Sequence, residues 1–456
     1  MTTTNDSHGP GRYQPLGPDD RAAMLETVGV GSVDELFASI PEALQYRGDL
    51  PLDRPLSEPE LIRHLGELAG ANAVAGDMLS FLGAGCYPHF VPTHVDALVQ
   101  RQEFMTSYTP YQAEISQGTL QAIFEFQTLV AMLTGMDVCN ASMYDGASAV
   151  AEAVLMARRL MRKGGRVLWS EGLHPAYREV AETYARYLDL DFELMPVDGA
   201  GRTMIPAIGE EVIAVVVQQP NFFGVMEDLR AAGATVAAAP AKFIVATAEP
   251  VAWALATPAG ELGADIVAGE LQSFGNGQNY GGPLVGFMAS RAEYVRNLPG
   301  RLAGQTVDAD GRRGFVLTLA TREQHIRRAK ATSNICTNTA LCALATCIHL
   351  STLGRTGIRE LALQNLAKAS YARDKLLAIE GVEAVFGGPV FNEFVVRLPL
   401  AASAAVDACA ARGVIPGVPL GRFDDARANE LLVCATEVHR RDDIDRLAAV
   451  LAEVCS

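Results

Sequence analysis

A chain of 456 residues, 49% hydrophobic and 20% charged, is long enough to bury a sizeable core spread over two or three structural units. Its 53 Asp and Glu outweigh 37 Lys and Arg, a formal charge of -16, so its field repels nucleic acid and anionic membrane surfaces. No run of about 18 apolar residues is free of charges or breakers, and residues 1–20 lack the basic and apolar stretches of a secretory signal, so a cytoplasmic chain is expected.

The first expected elements are helices over 19–28 and 57–68, the second capped by Ser57 ahead of Glu58-Pro59-Glu60. Between them, from 41 to 59, prolines and charges break any periodicity, and the stretch reads as an extended arm that wraps another surface. Leu120, Ile123, Phe124, Val130 and Leu133 make a helical stripe over 116–133 that Gly135 stops. A second helix follows, capped by Asp145 or Ser148 and continuing through 149–160. Arg158, Arg159, Arg162 and Lys163 stand near its last turn, where cations suit the helix dipole.

Short β-rich runs at 166–170, 192–195, 212–218, 243–248, 266–268 and 284–290 then alternate with helical or loop segments. That pattern predicts an α/β body with a mainly parallel sheet, covered on both faces by crossover helices. A long helix over 337–353 is expected to end at Gly354. Beyond it helix, strand (394–398), helix, strand (431–436) and helix form a separate α+β domain. The expected division is an N-terminal helical unit with its arm (1–80), a large α/β domain (81–350) and a small C-terminal domain (351–456).

The densest polar-aromatic stretch runs from Glu103 to Gly118 and feeds a helix N-terminus. Tyr108, Thr109, Tyr111, Gln112, Glu114 and Ser116 there supply donors, acceptors and a positive dipole end able to hold a small carboxylate; equally, the tyrosines can cap an interface and Glu114 serve the helix start. A second junction, from Asn140 through Tyr144, Asp145, Gly146 and Ser148, exposes backbone amides to an anion, though such junctions are common without ligands. His174 follows a strand end, where open α/β folds place ligands, and can also be structural. The Gly-rich run 275–282 leads into a strand rather than a helix and so fails the dinucleotide-binding context. Eight scattered cysteines and eight histidines show no metal-ligand spacing, and the basic cluster Arg322, His325, Arg327, Arg328 and Lys330 reads as a solvated or subunit-facing surface.

Together these segments resemble the glycine-decarboxylating P-protein family of the glycine cleavage system, and within it subunit 1 of the form split into two chains. The resemblance rests on Phe81-Leu-Gly-Ala-Gly85, Tyr108-Thr-Pro-Tyr-Gln112, Ile115-Ser-Gln-Gly118, Asn140-Ala-Ser-Met-Tyr-Asp-Gly146, Gln218-Gln-Pro-Asn-Phe-Phe-Gly224, Arg322-Glu-Gln-His-Ile-Arg-Arg328 and Ala331-Thr-Ser-Asn-Ile-Cys-Thr-Asn338. It implies the type I pyridoxal-phosphate-dependent transferase fold, a heterotetramer with subunit 2, and decarboxylation of glycine with pyridoxal phosphate as the electron sink. The aminomethyl group then passes to the lipoyl arm of the H-protein.

That chemistry needs a lysine to hold the cofactor as a Schiff base. The resemblance places it near Gln272, in Gly269-Glu-Leu-Gln-Ser-Phe274, and glutamine cannot form the bond. The chain has five lysines, Lys163, Lys242, Lys330, Lys368 and Lys375, and only Lys330 is a loose candidate for the role. Pyridoxal phosphate is therefore expected on the partner subunit, with Tyr144, Asp145, Gly146, Ser148 and His174 as remnants of a cofactor site and the segment 108–116 contributed across the interface. Where Leu271 stands, subunit 1 sequences usually carry Gly, and the loop 276–280 is more polar than usual. Two alternatives remain at this point: a scaffold or regulatory pseudoenzyme of the same fold, and an autonomous pyridoxal phosphate enzyme using Lys330.

Overall fold

A computed structural model describes residues 16–46, 48, 50–72, 78–105, 108–161 and 163–456. The expectations for residues 1–15 and for Arg162 lie outside the described residues, as do Thr106 and Ser107 within the polar-aromatic stretch. The chain divides into two units, Met1–Asn72 and Ala73–Ser456. In the first, helices Pro18–Val28 and Glu58–Gly70 flank single 3-10 turns at Asp34–Phe37 and Glu42–Leu44. The Glu60 carboxylate accepts the Ser57 amide at 2.8 Å, closing the start of the second helix.

The second unit is built on a seven-stranded sheet in the order Val138–Cys139, Gly286–Ser290, Ile266–Glu270, Lys242–Thr247, Val212–Gln218, Arg166–Ser170, Asp191–Met195. The last five run parallel, and the first two are antiparallel to their neighbours. Successive residues point to opposite faces. Val215, Val217, Phe243 and Val245 join helix Gln117–Thr134 on one side, and Val216, Ile244, Ala246 and Ala268 join helix Gly146–Met161 on the other. Both faces being covered, the strands read as unbroken apolar runs rather than alternating ones.

Three further sheets belong to this unit, one of them the two-residue pairing of Leu79–Ser80 with Val414–Ile415. Leu302–Val307 and Arg313–Thr318 pair as an antiparallel hairpin. Glu383–Ala384, Glu393–Arg397, Glu430–Cys434 and Val418–Pro419 form a four-stranded antiparallel sheet, over which helices Ala402–Ala410 and Arg441–Cys455 pack through Ala405, Ile444 and Leu447.

The expected boundaries meet continuous structure. Leu79 and Ser80 pair in parallel with Val414 and Ile415, which binds them to the second unit. Residues 350 and 351 lie inside one helix, Ala340–Leu377, which supplies Ala343, Cys347 and Leu350 to the large core and Ala369, Ala372 and Leu376 to the small one. Gly354, at φ 56° and ψ -172°, ends the first helical stretch of that span as expected, and a second stretch runs on from it to Leu377.

Candidate active site and cofactor cradle

The cradle side chains leave from the C-terminal ends of parallel strands, the edge where open α/β sheets bind ligands. Helix Gly146–Met161 points its N-terminus at this edge, where three of its first four amides are engaged. Gly146 N donates to Glu270 Oε2 at 2.9 Å, Ser148 N to Asp145 Oδ1 at 2.7 Å and Ala149 N to the Asp145 carbonyl at 3.0 Å. Of the two candidate caps, Asp145 is the one whose side chain accepts from the helix.

Glu270 is buried and receives more than the Gly146 amide. Its Oε1 accepts from Leu271 N at 3.1 Å, Gln272 N at 3.0 Å and Val285 N at 2.6 Å. Burial lifts its carboxyl to about 7 in spite of those donors, which favour the charged form. Tyr177 closes the space over the helix end: a Cβ added to Gly146 would run into its hydroxyl. Its ring stacks on His174 at 4.8 Å between centroids.

His174 is fully engaged. Its Nδ1 accepts from Ala176 N at 3.1 Å, which leaves Nε2–H to donate to the Ala84 carbonyl at 2.9 Å. Burial lowers its pKa, in keeping with a neutral ring. Gln272, 1% exposed, accepts from Tyr87 N at 3.0 Å and donates to the Asn276 carbonyl at 2.6 Å. It borders a polar cavity of about 690 Å³ shared with Tyr87, His89, Gln278, His439 and Arg440.

None of the five lysines stands in this loop. Lys242 begins its strand, at the opposite end of the sheet, and donates to the Tyr294 hydroxyl at 2.7 Å. Lys368 and Lys375 lie on helix Ala340–Leu377, bonded to the Glu437 carbonyl and to Asp445. Lys163 is exposed beyond helix Gly146–Met161, and Lys330 is exposed in the 3-10 turn Arg328–Lys330.

Beside the cradle a buried ionic cluster joins the two sheets. His89 stands between Glu249, 2.9 Å from Nε2, and Glu437, 2.8 Å from Nδ1. Burial alone would lower its pKa; the two carboxylates outweigh burial and hold the ring protonated up to about 10. Asn392 and Asn365 donate to these carboxylates at 2.8 and 2.9 Å. Glu393 accepts from Ala84 N and from the Tyr87 hydroxyl, both at 2.7 Å. Residues 84–90 are thus tied to both parts of the body. Sequence reasoning missed Glu270, Tyr177, His89, Glu249 and Glu393, and the available signal was an acidic residue inside an apolar strand, as at 266–270 and 393–397.

The polar-aromatic segment forms a separate group. Tyr108 and Tyr111 are 83% and 62% exposed, and Gln112 and Glu114 are also exposed. Ser116 is buried at the start of helix Gln117–Thr134 without capping it through its side chain. Thr109 Oγ1 is buried with no hydrogen-bond partner among the described residues. Beneath Tyr111 lies Arg301, 6% exposed, which donates to the Tyr111 hydroxyl at 3.1 Å and the Cys336 carbonyl at 2.8 Å. Tyr144, expected in the cradle, accepts from Cys336 N at 3.2 Å and so belongs to this second group as well. Met105, Tyr108 and Leu341, all at least half exposed, border an apolar cavity of about 540 Å³.

The glycine cleavage system P-protein family model matches residues 11–451. A probable glycine dehydrogenase (decarboxylating) subunit 1 of Geobacillus kaustophilus is 49% identical, covering 97% of this chain and 99% of its own. One of the same description from Xanthobacter autotrophicus is 51% identical, covering 97% and 100%. The chain is also similar to a solved glycine decarboxylase (P-protein) in inhibitor-bound form, at 43% identity and a TM-score of 0.89 over 97% of this chain and 99% of that one. Lactobacillus brevis glutamate decarboxylase, 14% identical with a TM-score of 0.65 over 93% and 98%, shares the type I fold.

Proposed function

The chain belongs to the glycine cleavage system P-protein family, in the line of its subunit 1 relatives, and from that premise we propose that it acts in glycine decarboxylation only together with subunit 2. The residues at its own cradle do not fit pyridoxal phosphate. Gln272 stands where a Schiff-base lysine is needed. The amides a phosphate would use are taken by Glu270 and Asp145, and Tyr177 fills the space above them. A phosphate brought there would face the buried Glu270 carboxylate. The cofactor belongs on subunit 2, where it supplies the electron sink for loss of the glycine carboxyl group.

What this chain contributes is the segment of Tyr108, Thr109, Tyr111, Gln112, Glu114 and Ser116, offered across the interface to the partner's site through its exposed side chains Tyr108, Tyr111, Gln112 and Glu114. The observation that carries this reading is the pairing of exposed tyrosines with a buried support. Arg301 holds the Tyr111 hydroxyl from beneath, while the ring and Tyr108 face outward beside an apolar cavity. In this arrangement the tyrosines orient glycine's carboxylate and exclude water, and Arg301 is a positioning residue. The product aminomethyl group is passed to the lipoyl arm of the H-protein.

The test is exchange of the glycine carboxyl with bicarbonate in the complex reconstituted with subunit 2. The double variant Tyr108→Phe, Tyr111→Phe is expected to lower that exchange by about tenfold or more without altering assembly. Full exchange by the variant would contradict the assignment.

A further inference from the structure

Residues 16–72 form a unit without a core. Helices Pro18–Val28 and Glu58–Gly70 contain no buried residue, and no described residue between 16 and 72 is buried. Leu36, Phe37, Leu44 and Leu52 are 49%, 52%, 76% and 77% exposed. In helix Glu58–Gly70, Leu61, Ile62, Leu65 and Leu68 line one stripe, between 44% and 66% exposed, while Glu60, Arg63, His64 and Glu67 occupy the other side. Even a self-sufficient domain of about 60 residues buries only some 60% of its unfolded surface. A unit whose described residues bury no side chain cannot offset its own ordering entropy, so its apolar side chains call for a surface to dock on.

Two observations choose the occupant. The relatives named subunit 1 imply a second, different subunit. Between 16 and 72 there are 11 acidic and 4 basic residues, so a second copy of this chain, itself at -16, is disfavoured by like charge. Pro51, Pro55 and Pro59 stiffen the approach to the amphipathic helix and reduce the entropy lost when it docks. We propose that residues 16–72 are a docking arm for subunit 2, laying the Leu61–Leu68 stripe and the leucines of 36–52 into an apolar groove rimmed by basic side chains. The proposal rests on the reading of this chain as subunit 1.

The experiment compares three chains for binding to purified subunit 2 by sedimentation: the full chain, residues 73–456, and a full chain carrying Leu61→Asp and Leu65→Asp. Residues 73–456 hold all the buried clusters, and circular dichroism checks that they stay folded. Both variants are expected to bind at least tenfold more weakly than the full chain. Chymotrypsin is expected to cut within 16–72 in the free chain and to be blocked there after assembly. Equal binding by all three chains would overturn the proposal. So would protection of the arm in the free monomer, which places it on its own chain, or arm-dependent self-association, which assigns it to a second copy. If even the full chain fails to bind, the subunit 1 reading falls with it; loss of the arm's contribution alone leaves that reading standing.

Discussion

At Glu270 one carboxylate collects four backbone amide hydrogens in a site closed to water. Replacing it with alanine strands those donors, and Glu270→Ala is expected to cost about 3 kcal/mol of stability, read from the urea midpoint. Its pKa, raised from 4.5 to about 7, sets a direction as well. The folded chain holds a proton the unfolded chain has lost, so this contribution is complete below 4.5 and disappears as pH rises through 7. His89 has the same sign at higher pH, raised from 6.5 to about 10. Its contribution is complete below 6.5 and is lost as pH climbs through 10. Melting temperature followed from pH 7 to 11 should therefore fall more steeply in the native chain than in His89→Gln; parallel curves would exclude His89 as the titrating group. Asp145 as a cap was legible in the sequence because it is a local feature. Glu270's partner Gly146 lies 124 residues away, and the carboxylates on either side of His89 lie 160 and 348 residues away, and no spacing rule reaches that far.

Elements were readable where burial imposes a simple rule. The apolar runs 212–217 and 266–268 announce themselves because both faces of the sheet are covered there. The hairpin Leu302–Val307 with Arg313–Thr318 escaped notice because it is only partly buried, and its residues carry neither a continuous apolar run nor a clean alternation. Gly354 was legible as a helix breaker and the helix beyond it was expected too; what the sequence did not show is that the two run on as one kinked span, which depends on the small sheet and its helices receiving Ala369, Ala372 and Leu376. Its backbone conformation is nearly closed to other residues, while a Cβ there would meet nothing within 4 Å. Gly354→Ala should therefore cost about 2 kcal/mol through the backbone alone, measurable by thermal unfolding; an unchanged melting point would mean that the kink is not fixed.

Across the whole molecule, a strand-end site closed by its own side chains and an outward-facing tyrosine segment fit the division of labour we propose between this chain and subunit 2. The chain has the type I fold, which glutamate decarboxylase also has, while its own Glu270 and Asp145 take the amides of Gly146 and Ser148 at the N-terminus of helix Gly146–Met161. The sequence carried the fold class and the family in long motifs, but it could not say that the anion junction was filled, because that depends on side chains meeting in space. The most direct measurement is the visible absorption of the isolated chain incubated with pyridoxal phosphate, followed by borohydride reduction and peptide mapping. The account predicts no yellow, reducible adduct on this chain and a lysine adduct on subunit 2 under the same conditions. A stoichiometric adduct on this chain, at Lys330 or elsewhere, would contradict it.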